Sequence, residues 1–486
     1  MPVSRRKIGA VDSLFLEIEK LRRHCLALKY RSREATLTEP IISVSGLRGI
    51  VGESLTPEVA MRYAAAFAAS APPGEILVGR DSRPSGRMLS LAVHAGLQAV
   101  GRTTIDAGIV ATPTAGVLLR HYKAAGAIQI TASHNPLPYN GLKLFSAEGR
   151  VIPAAPGREV LERYRGDTPA WLPHDRLGNG RRVDDTITAH LLAVLATVDA
   201  ERIRKCRFRV VLDSNHGAGA ILGRRLLHEL ACRLTVLGEE PNGQFAHPAE
   251  PTAENLAGVL HAVADAGADV GFCQDPDADR LAVIDQSGCY LGEEYTLAMC
   301  INHVLRQRKG PIVTNCSSSR MSEDLAEHYD APFFRSAVGE ANVADAMLAH
   351  QAIFGGEGNG GPIDPRVGYV RDSFVGMALL LDAMAARQMT IRLLADELPR
   401  YEIVKTKVSF PPAKFPAALD AMEQRFPDAT ADRLDGLRFD WPGRWLLVRG
   451  SNTEPIVRAI AEAPTAAEAS SLCEAAAQVL ALGASQ

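Results

Sequence analysis

Residues 131–146 read TASHNPLPYNGLKLFS, and the stretch is centred on Ser133. The apolar run Ala127-Ile128-Gln129-Ile130 precedes it and reads as a buried strand, so the serine falls where a strand becomes a loop. Open α/β sheets hold their ligands at such C-terminal strand edges. His134 and Asn135 flank the serine with polar groups, Pro136 and Pro138 stiffen the exit, and Asn140-Gly141 marks a turn. Lys143 adds a cation further along. Alone, this is a Ser/Asn/Pro turn. Its meaning depends on the rest of the chain.

Working outward, 75–130 alternates strand, helix, strand, helix, strand, and the alternation returns from about 186 and again over about 291–398. Such alternation builds mixed or parallel sheets with helices on their faces. Three comparable rounds suggest an internal repeat, although no residue-level self-similarity is visible. After Pro399 the pattern changes to several short strands and two helices. The expected fold is α/β, with three similar α/β sheet domains followed by a smaller α+β C-terminal domain around a central cleft. The expected boundaries are a basic N-terminal extension over 1–40, then domains over 41–185, 186–290, 291–400 and 401–486. Residues 1–36 carry nine Lys/Arg against four Asp/Glu, with a loosely amphipathic helical pattern from Asp12 to Arg31. They lack the apolar core and cleavage site of a signal peptide.

At 486 residues the chain exceeds what one hydrophobic core holds, so roughly three or four domains are expected. A net charge of −3 gives no global attraction to nucleic acid or an anionic membrane, and neither is expected as a partner. Eight scattered cysteines without a CxxC pair argue for reduced thiols and a cytoplasmic protein. No apolar run reaches the length of a membrane span.

Three further stretches carry chemistry. Residues 275–280 are Asp-Pro-Asp-Ala-Asp-Arg, and Asp275, Asp277 and Asp279 would project to one side of an extended segment. Clustered carboxylates repel unless a cation sits among them, and hard oxygen donors suit Mg²⁺. A calcium loop fails, because Arg280 and Gln286 stand where it needs Gly and Glu. Residues 356–361, GEGNGG, satisfy the dinucleotide pattern GxGxxG, but Pro362-Ile363-Asp364-Pro365 cannot begin the helix that pattern requires. Residues 449–455, RGSNTEP, follow the strand-like RWLLV and offer an anion cradle of arginine, hydroxyl and amide groups.

Together TASHNP, the Asp triplet, GEGNGG and RGSNTEP resemble the α-D-phosphohexomutase superfamily, from about residue 41 to the C-terminus. Within it the sugar loop is most similar to archaeal-type phosphoglucosamine mutases. The resemblance implies a phosphoserine at Ser133, one Mg²⁺ held by Asp275, Asp277, Asp279 and an oxygen of phosphorylated Ser133, and a hexose bisphosphate intermediate. Arg280 matches the arginine that supports transfer, and His134 falls within the serine motif. Arg48, read in a Gly-bounded loop after a strand in ISVSGLRGIVG, matches the superfamily's N-terminal arginine loop. Lys143 and Arg48 are both candidates for proton shuttle or electrostatic partner. Arg80, Asp81 and Arg83 of GRDSRPSG are read as ion-paired supports of the serine loop.

Glu357 matches the carboxylate that accepts two sugar hydroxyls, while Asn359 and Gly361 stand where relatives often carry serine and histidine. Arg449, Ser451, Asn452 and Thr453 match the loop gripping the substrate's other phosphate. A departure is 336–350, SAVGEANVADAMLAH, without the Lys or Arg that several relatives use on substrate. The resemblance implies interconversion of hexose 6- and 1-phosphates, and a monomer or homodimer is expected. Glucosamine phosphate is the expected best substrate, with mannose and glucose phosphates as alternatives. The residues alone leave open a serine-dependent phosphatase and a non-catalytic sugar-phosphate-binding protein.

Overall fold

The structure, a computed structural model, describes residues 39–43, 45–166, 168–450 and 456–485. The helical pattern of 12–31 and the loop residues Ser451, Asn452 and Thr453 lie outside the described residues.

Three sheets share one four-strand plan. In the first, Gly126–Ile130 runs parallel to Ile76–Arg80, which runs parallel to Thr104–Ile109. Tyr139–Ser146 returns antiparallel on the other side of Gly126–Ile130. In the second, Val270–Gln274, Arg209–Asp213 and Arg233–Leu237 repeat the parallel triplet, with Leu281–Ile284 returning antiparallel. In the third, Phe354–Glu357, Ile312–Asn315 and Phe333–Ser336 do so, with Gly361–Ile363 returning. The first sheet is widened by Gly46–Ile50 and Ile41–Ser43 at one edge and Gly180–Arg182 at the other. Gly126–Ile130 and Val270–Gln274 are buried along their whole length, as strands covered on both faces require. The repeat suggested by strand spacing is therefore present as topology.

The consequence for function is positional. In each unit one hairpin loop sits at the same sheet edge: 131–138 carries Ser133, 275–280 carries the three aspartates, and 358–360 carries Asn359, two positions after Glu357. The second and third units share a core built around helix Ser373–Arg387. Its sequence is apolar on every side, which only a buried helix tolerates, and Asp372 caps it by accepting from the N–H groups of Phe374 and Val375.

The fourth unit is a five-stranded antiparallel sheet in the order Glu402–Ser409, Ile456–Ala463, Arg444–Gly450, Leu437–Trp441, Thr430–Asp432. One face packs on helices Phe415–Arg425 and Ala466–Ser485. The other presents Ile403, Trp445, Leu447 and Ile460 to Cys316 and Val338 of the third unit.

Two local expectations are corrected. Arg48 lies within strand Gly46–Ile50 and not in a loop, because Gly46-Leu47-Arg48 pairs with both Ile41–Ser43 and Tyr139–Ser146. The Asp triplet lies in a turn and not in an extended segment: Ala278 N–H donates to the Asp275 carbonyl and Ala278 adopts φ +57°. The carboxylates converge because the chain curls, at the cost of a left-handed alanine.

Candidate active site

The serine loop is held from beneath by one guanidinium. Arg83, fully buried, donates from Nη2 to the carbonyls of Ser133 and Asn135 (2.6 Å each) and from Nη1 to those of Pro136 (3.0 Å) and Tyr139 (3.3 Å). Its Nε meets Asp81 Oδ2 at 3.1 Å, and Asp81 Oδ2 also accepts from Thr131 Oγ1 at 2.8 Å. Burial pushes the Asp81 carboxyl up to about 6, although Arg83 opposes the shift. The Arg80 side chain takes no part in this support: its one side-chain hydrogen bond among the described residues goes to the Asp81 carbonyl, at 3.5 Å. Ser133 itself sits at φ +49°, a strained setting that the fastened loop imposes.

Ser133 Oγ donates to Asp275 Oδ2 at 2.7 Å, joining the first and second units. Ligand oxygens of Asp275, Asp277 and Asp279 lie within 4.8 Å of one another, and all three residues are fully buried. Asp277 Oδ2 accepts from Thr112 Oγ1 at 2.6 Å, and Asp275 Oδ1 from the Arg280 N–H at 3.1 Å. Asp277 Oδ1 and Asp279 Oδ1 have no hydrogen-bond partner among the described residues. Buried carboxylate oxygens left without donors are costly, and a hard cation bound by oxygens would satisfy them. The donor set therefore fits a small dication. Burial, with Asp277 and Asp279 adding to it, pushes the Asp275 carboxyl well up. Burial acts the same way on Asp279, but Arg371 and Lys143 outweigh it and hold that carboxyl well below the usual range.

Arg371 links the Asp275–Asp279 turn to the loop that follows Glu357. Its Nη2 donates to Asp279 Oδ2 and its Nη1 to Glu357 Oε2, both at 2.7 Å, while its backbone N–H donates to Glu340 Oε1 at 2.9 Å. Lys143 Nζ lies 3.0 Å from Asp279 and 3.2 Å from Glu340. Burial alone would lower the Lys143 ammonium, but Glu340 and Asp279 raise it. Glu357 Oε1 accepts from Asn315 Nδ2 (2.7 Å) and the Gly339 N–H (3.1 Å). Asn359 Nδ2 reaches Glu357 Oε2 at 3.5 Å, and Asn359 Oδ1 is without a partner among the described residues. Gly361 has a steric reason: a Cβ there would fall 2.4 Å from Arg371 Cδ, so the arginine stem fills the place of a side chain.

His134 Nδ1 is 3.4 Å from Ser133 Oγ, and His134 Nε2 is 4.0 Å from Glu250 Oε1. Arg280 Nη1 lies 3.7 Å from the same Glu250 oxygen. Burial, with Arg280 and Arg48 adding to it, pushes the His134 imidazole down to about 2. Arg48 Nη1 donates to Asn135 Oδ1 at 2.9 Å.

The fourth unit closes the cleft with cations. Lys407, Arg458 and Arg449 occupy matching register positions on three adjacent strands. Like charges directly opposite one another destabilise a sheet unless something compensates. Arg449 Nε has Asp435 Oδ2 at 3.1 Å, whereas Lys407 and Arg458 pair with no carboxylate among the described residues. These three, with Arg48, His134, Lys143, Arg280, Glu357, Asn359 and Arg371, line one cleft of about 730 Å³. Sequence reasoning missed Arg371, Glu340, Thr112, Glu250 and Arg458, each isolated in the sequence. Lys405 and Lys407 did carry a signal, the alternation in KTKVS that places both on one strand face.

Family models described as phosphoglucomutase/phosphomannomutase match four successive stretches. Alpha/beta/alpha domains I, II and III match residues 40–170, 188–288 and 293–401, and the C-terminal domain matches 405–479. The chain belongs to the phosphoglucomutase/phosphomannomutase family.

A family member from Thermococcus kodakarensis, named phosphoglucomutase/phosphomannomutase, is 35% identical over 86% of this chain and 93% of its own length. A second protein of that organism, named "Probable phosphoglucosamine mutase", is 34% identical over the same shares. A Burkholderia thailandensis phosphoglucomutase/phosphomannomutase family crystal structure superposes with a TM-score of 0.76 at 25% identity, covering 91% of this chain and 98% of that one. Mutases of this family are isomerases, and this chain is a hexose phosphate mutase. No helix of the described residues is long and apolar enough to cross a membrane.

Proposed function

We propose that the protein interconverts hexose 6- and 1-phosphates by way of a phosphorylated Ser133, with glucosamine phosphate as its best substrate. The observation that carries the chemistry is the 2.7 Å approach of Ser133 Oγ to Asp275, across two units and 142 positions of sequence. The reading is supported by a serine hydroxyl lying beside a buried oxygen cluster whose donors suit Mg²⁺. When bound, such a cation would offset charge on the transferring phosphoryl group.

The chain's residues divide the remaining work. The Oγ–P bond of phosphoserine breaks as a sugar hydroxyl oxygen bonds to the phosphorus and gives up its proton. The sugar becomes a bisphosphate, turns in the cleft, and returns its other phosphoryl group to Ser133. Lys143 serves as a fixed cation at the transfer point, since Asp279 and Glu340 both hold its Nζ. Arg280 and Arg48 add positive charge on the same side. Glu250, in the same cleft, is the group placed to take the hydroxyl proton, while His134, its imidazole held neutral, lies beside the serine. Glu357 receives sugar hydroxyls by exchanging a protein donor such as the Gly339 N–H. Arg449, with Ser451, Asn452 and Thr453 from the adjoining loop, grips the phosphate that is not transferring, and Lys407 and Arg458 stand beside it.

Support for the amino sugar is the name of the second T. kodakarensis relative and the unpartnered Asn359 Oδ1, an acceptor suited to a 2-amino group. Mannose and glucose phosphates are the slower substrates. We place the enzyme in the cytoplasm, acting on free sugar phosphates as a monomer or homodimer. A coupled assay with phosphorylated enzyme tests the reading. Turnover of glucosamine 1-phosphate should exceed that of the mannose and glucose 1-phosphates. Release of inorganic phosphate without isomerisation would convert the assignment to a phosphatase.

A further inference from the structure

Ser133 and the aspartates that face it belong to different units, so something must fix one unit against the other. Residues 238–250 of the second unit cross to the base of the serine loop. Gly243 packs so closely there that a Cβ would fall 2.4 Å from the Ser82 carbonyl oxygen, and the Phe245 ring lies 5.1 Å from the Arg83 guanidinium carbon. Arg83 is the group that gathers the serine-loop carbonyls. At its far end the segment delivers Glu250 to Arg280 and His134.

The segment is fastened to its own unit by His247. Nε2 of that ring lies 2.8 Å from Asp213 Oδ2, and Nδ1 lies 2.9 Å from the Pro248 carbonyl oxygen. Both partners are acceptors only, so both ring nitrogens must donate, which a neutral imidazole cannot do. Asn215 completes the fastening, accepting from the N–H groups of Ala246 and His247 and donating to the His247 carbonyl. Asn215 and His216 hold φ of +47° and +54°, and Gly238 leaves no room for a Cβ beside them, so this anchor is built under strain.

We propose that His247 is a positioning residue for phosphoryl transfer: as an imidazolium clamped between Asp213 and Pro248, it holds the 238–250 segment across the serine-loop support. The inference rests on the mutase reading for its kinetic consequence but not for the clamp itself. Asp213 is the charged group facing the ring among the described residues, and its carboxylate with the Pro248 carbonyl raises the imidazole although burial opposes it. A raised histidine contributes below its folded pKa and is lost as pH rises through it. The clamp is thus closed below that folded pKa and opens as pH rises through it.

The test uses the full chain with ¹⁵N-labelled histidine, His247 being assigned by its disappearance in His247→Gln. Both ring nitrogens should be protonated at pH 7, and Asp213→Asn should move the loss of one proton to lower pH. In phosphorylated enzyme, kcat should fall with the same midpoint. His247→Gln should lower kcat about ten- to a hundredfold with a smaller change in KM, and remove that alkaline limb. A neutral imidazole at pH 7 overturns the clamp. Wild-type kcat and an unchanged alkaline limb in a cooperatively folding His247→Gln overturn the positioning role. Failure of the mutase reading would look different, as a wild-type enzyme inactive on every hexose phosphate with the nitrogen spectra unaffected.

Discussion

Arg371 binds Asp279 and Glu357 through separate nitrogens of one buried guanidinium, and that geometry makes it hard to replace. Lysine offers one point charge where two forked bonds are needed. Arg371→Met should destabilise the fold by about 3–5 kcal/mol, because removing one partner leaves buried carboxylates uncompensated. Urea unfolding at pH 7 measures this. Ser133→Ala should behave oppositely, with the fold intact and turnover down by orders of magnitude; intact-mass analysis should find phosphate on wild type and none on the variant. Asp277→Ala should weaken Mg²⁺ binding, measured by calorimetry, and make activity insensitive to added Mg²⁺ after chelation. Ser133 and the aspartates were legible because each lies in a short motif whose residues share one chemical purpose. Arg371 was not, because an arginine ahead of a helix carries no mark of the loops it will meet. The emptiness at Gly361 read as a missing histidine, and only the fold shows the arginine stem lying there.

At the scale of elements, the cation row across three strands predicts a conflict between stability and function. Arg458→Ala should leave the unliganded protein as stable or more stable by up to about 0.5 kcal/mol, since a like-charge neighbour is removed. The same change should abolish most of the rise in melting temperature that inorganic phosphate or a sugar phosphate gives the wild type. Thermal scans with and without phosphate separate the two effects. Strand alternation was enough to place the helices and parallel strands of the first three units, because buried parallel strands are apolar throughout and helices are not. It could not distinguish a curled turn from an extended segment at Asp275–Arg280, where the left-handed backbone falls on alanine and no glycine marks the turn. Arg48 was misplaced for a related reason: glycines on both sides suggest a loop, but here Gly46 is present because the neighbouring strand approaches too closely for a Cβ, and Gly49 because Ser54 and Leu55 fold back against it.

For the molecule as a whole, the junction between third and fourth units carries a pH signature. Burial pushes the Glu294 carboxyl up to about 8, and the same carboxylate lies against Gly358 of the sugar loop, where a Cβ would fall 1.9 Å away. A group raised in the folded state stabilises most below its unfolded pKa and loses that contribution as pH rises through the folded value. Its penalty therefore grows from about pH 4.5 to about 8. Glu294→Gln, which mimics the neutral form, should flatten the stability profile over that window and gain most over wild type above pH 8. Denaturant midpoints across pH check this.

The division of the site among units also sets an order in time. A chain leaving the ribosome completes the sheet and loop of Ser133 long before residue 275 is made, and domains generally fold as they emerge. The growing polypeptide thus displays a fastened serine with no acidic cluster opposite it, then a cluster with no sugar loop. On the proposed mechanism, nascent chains and early-terminated fragments should be chemically silent toward bisphosphates, and Ser133 should take its first phosphate only after most of the protein has been synthesised.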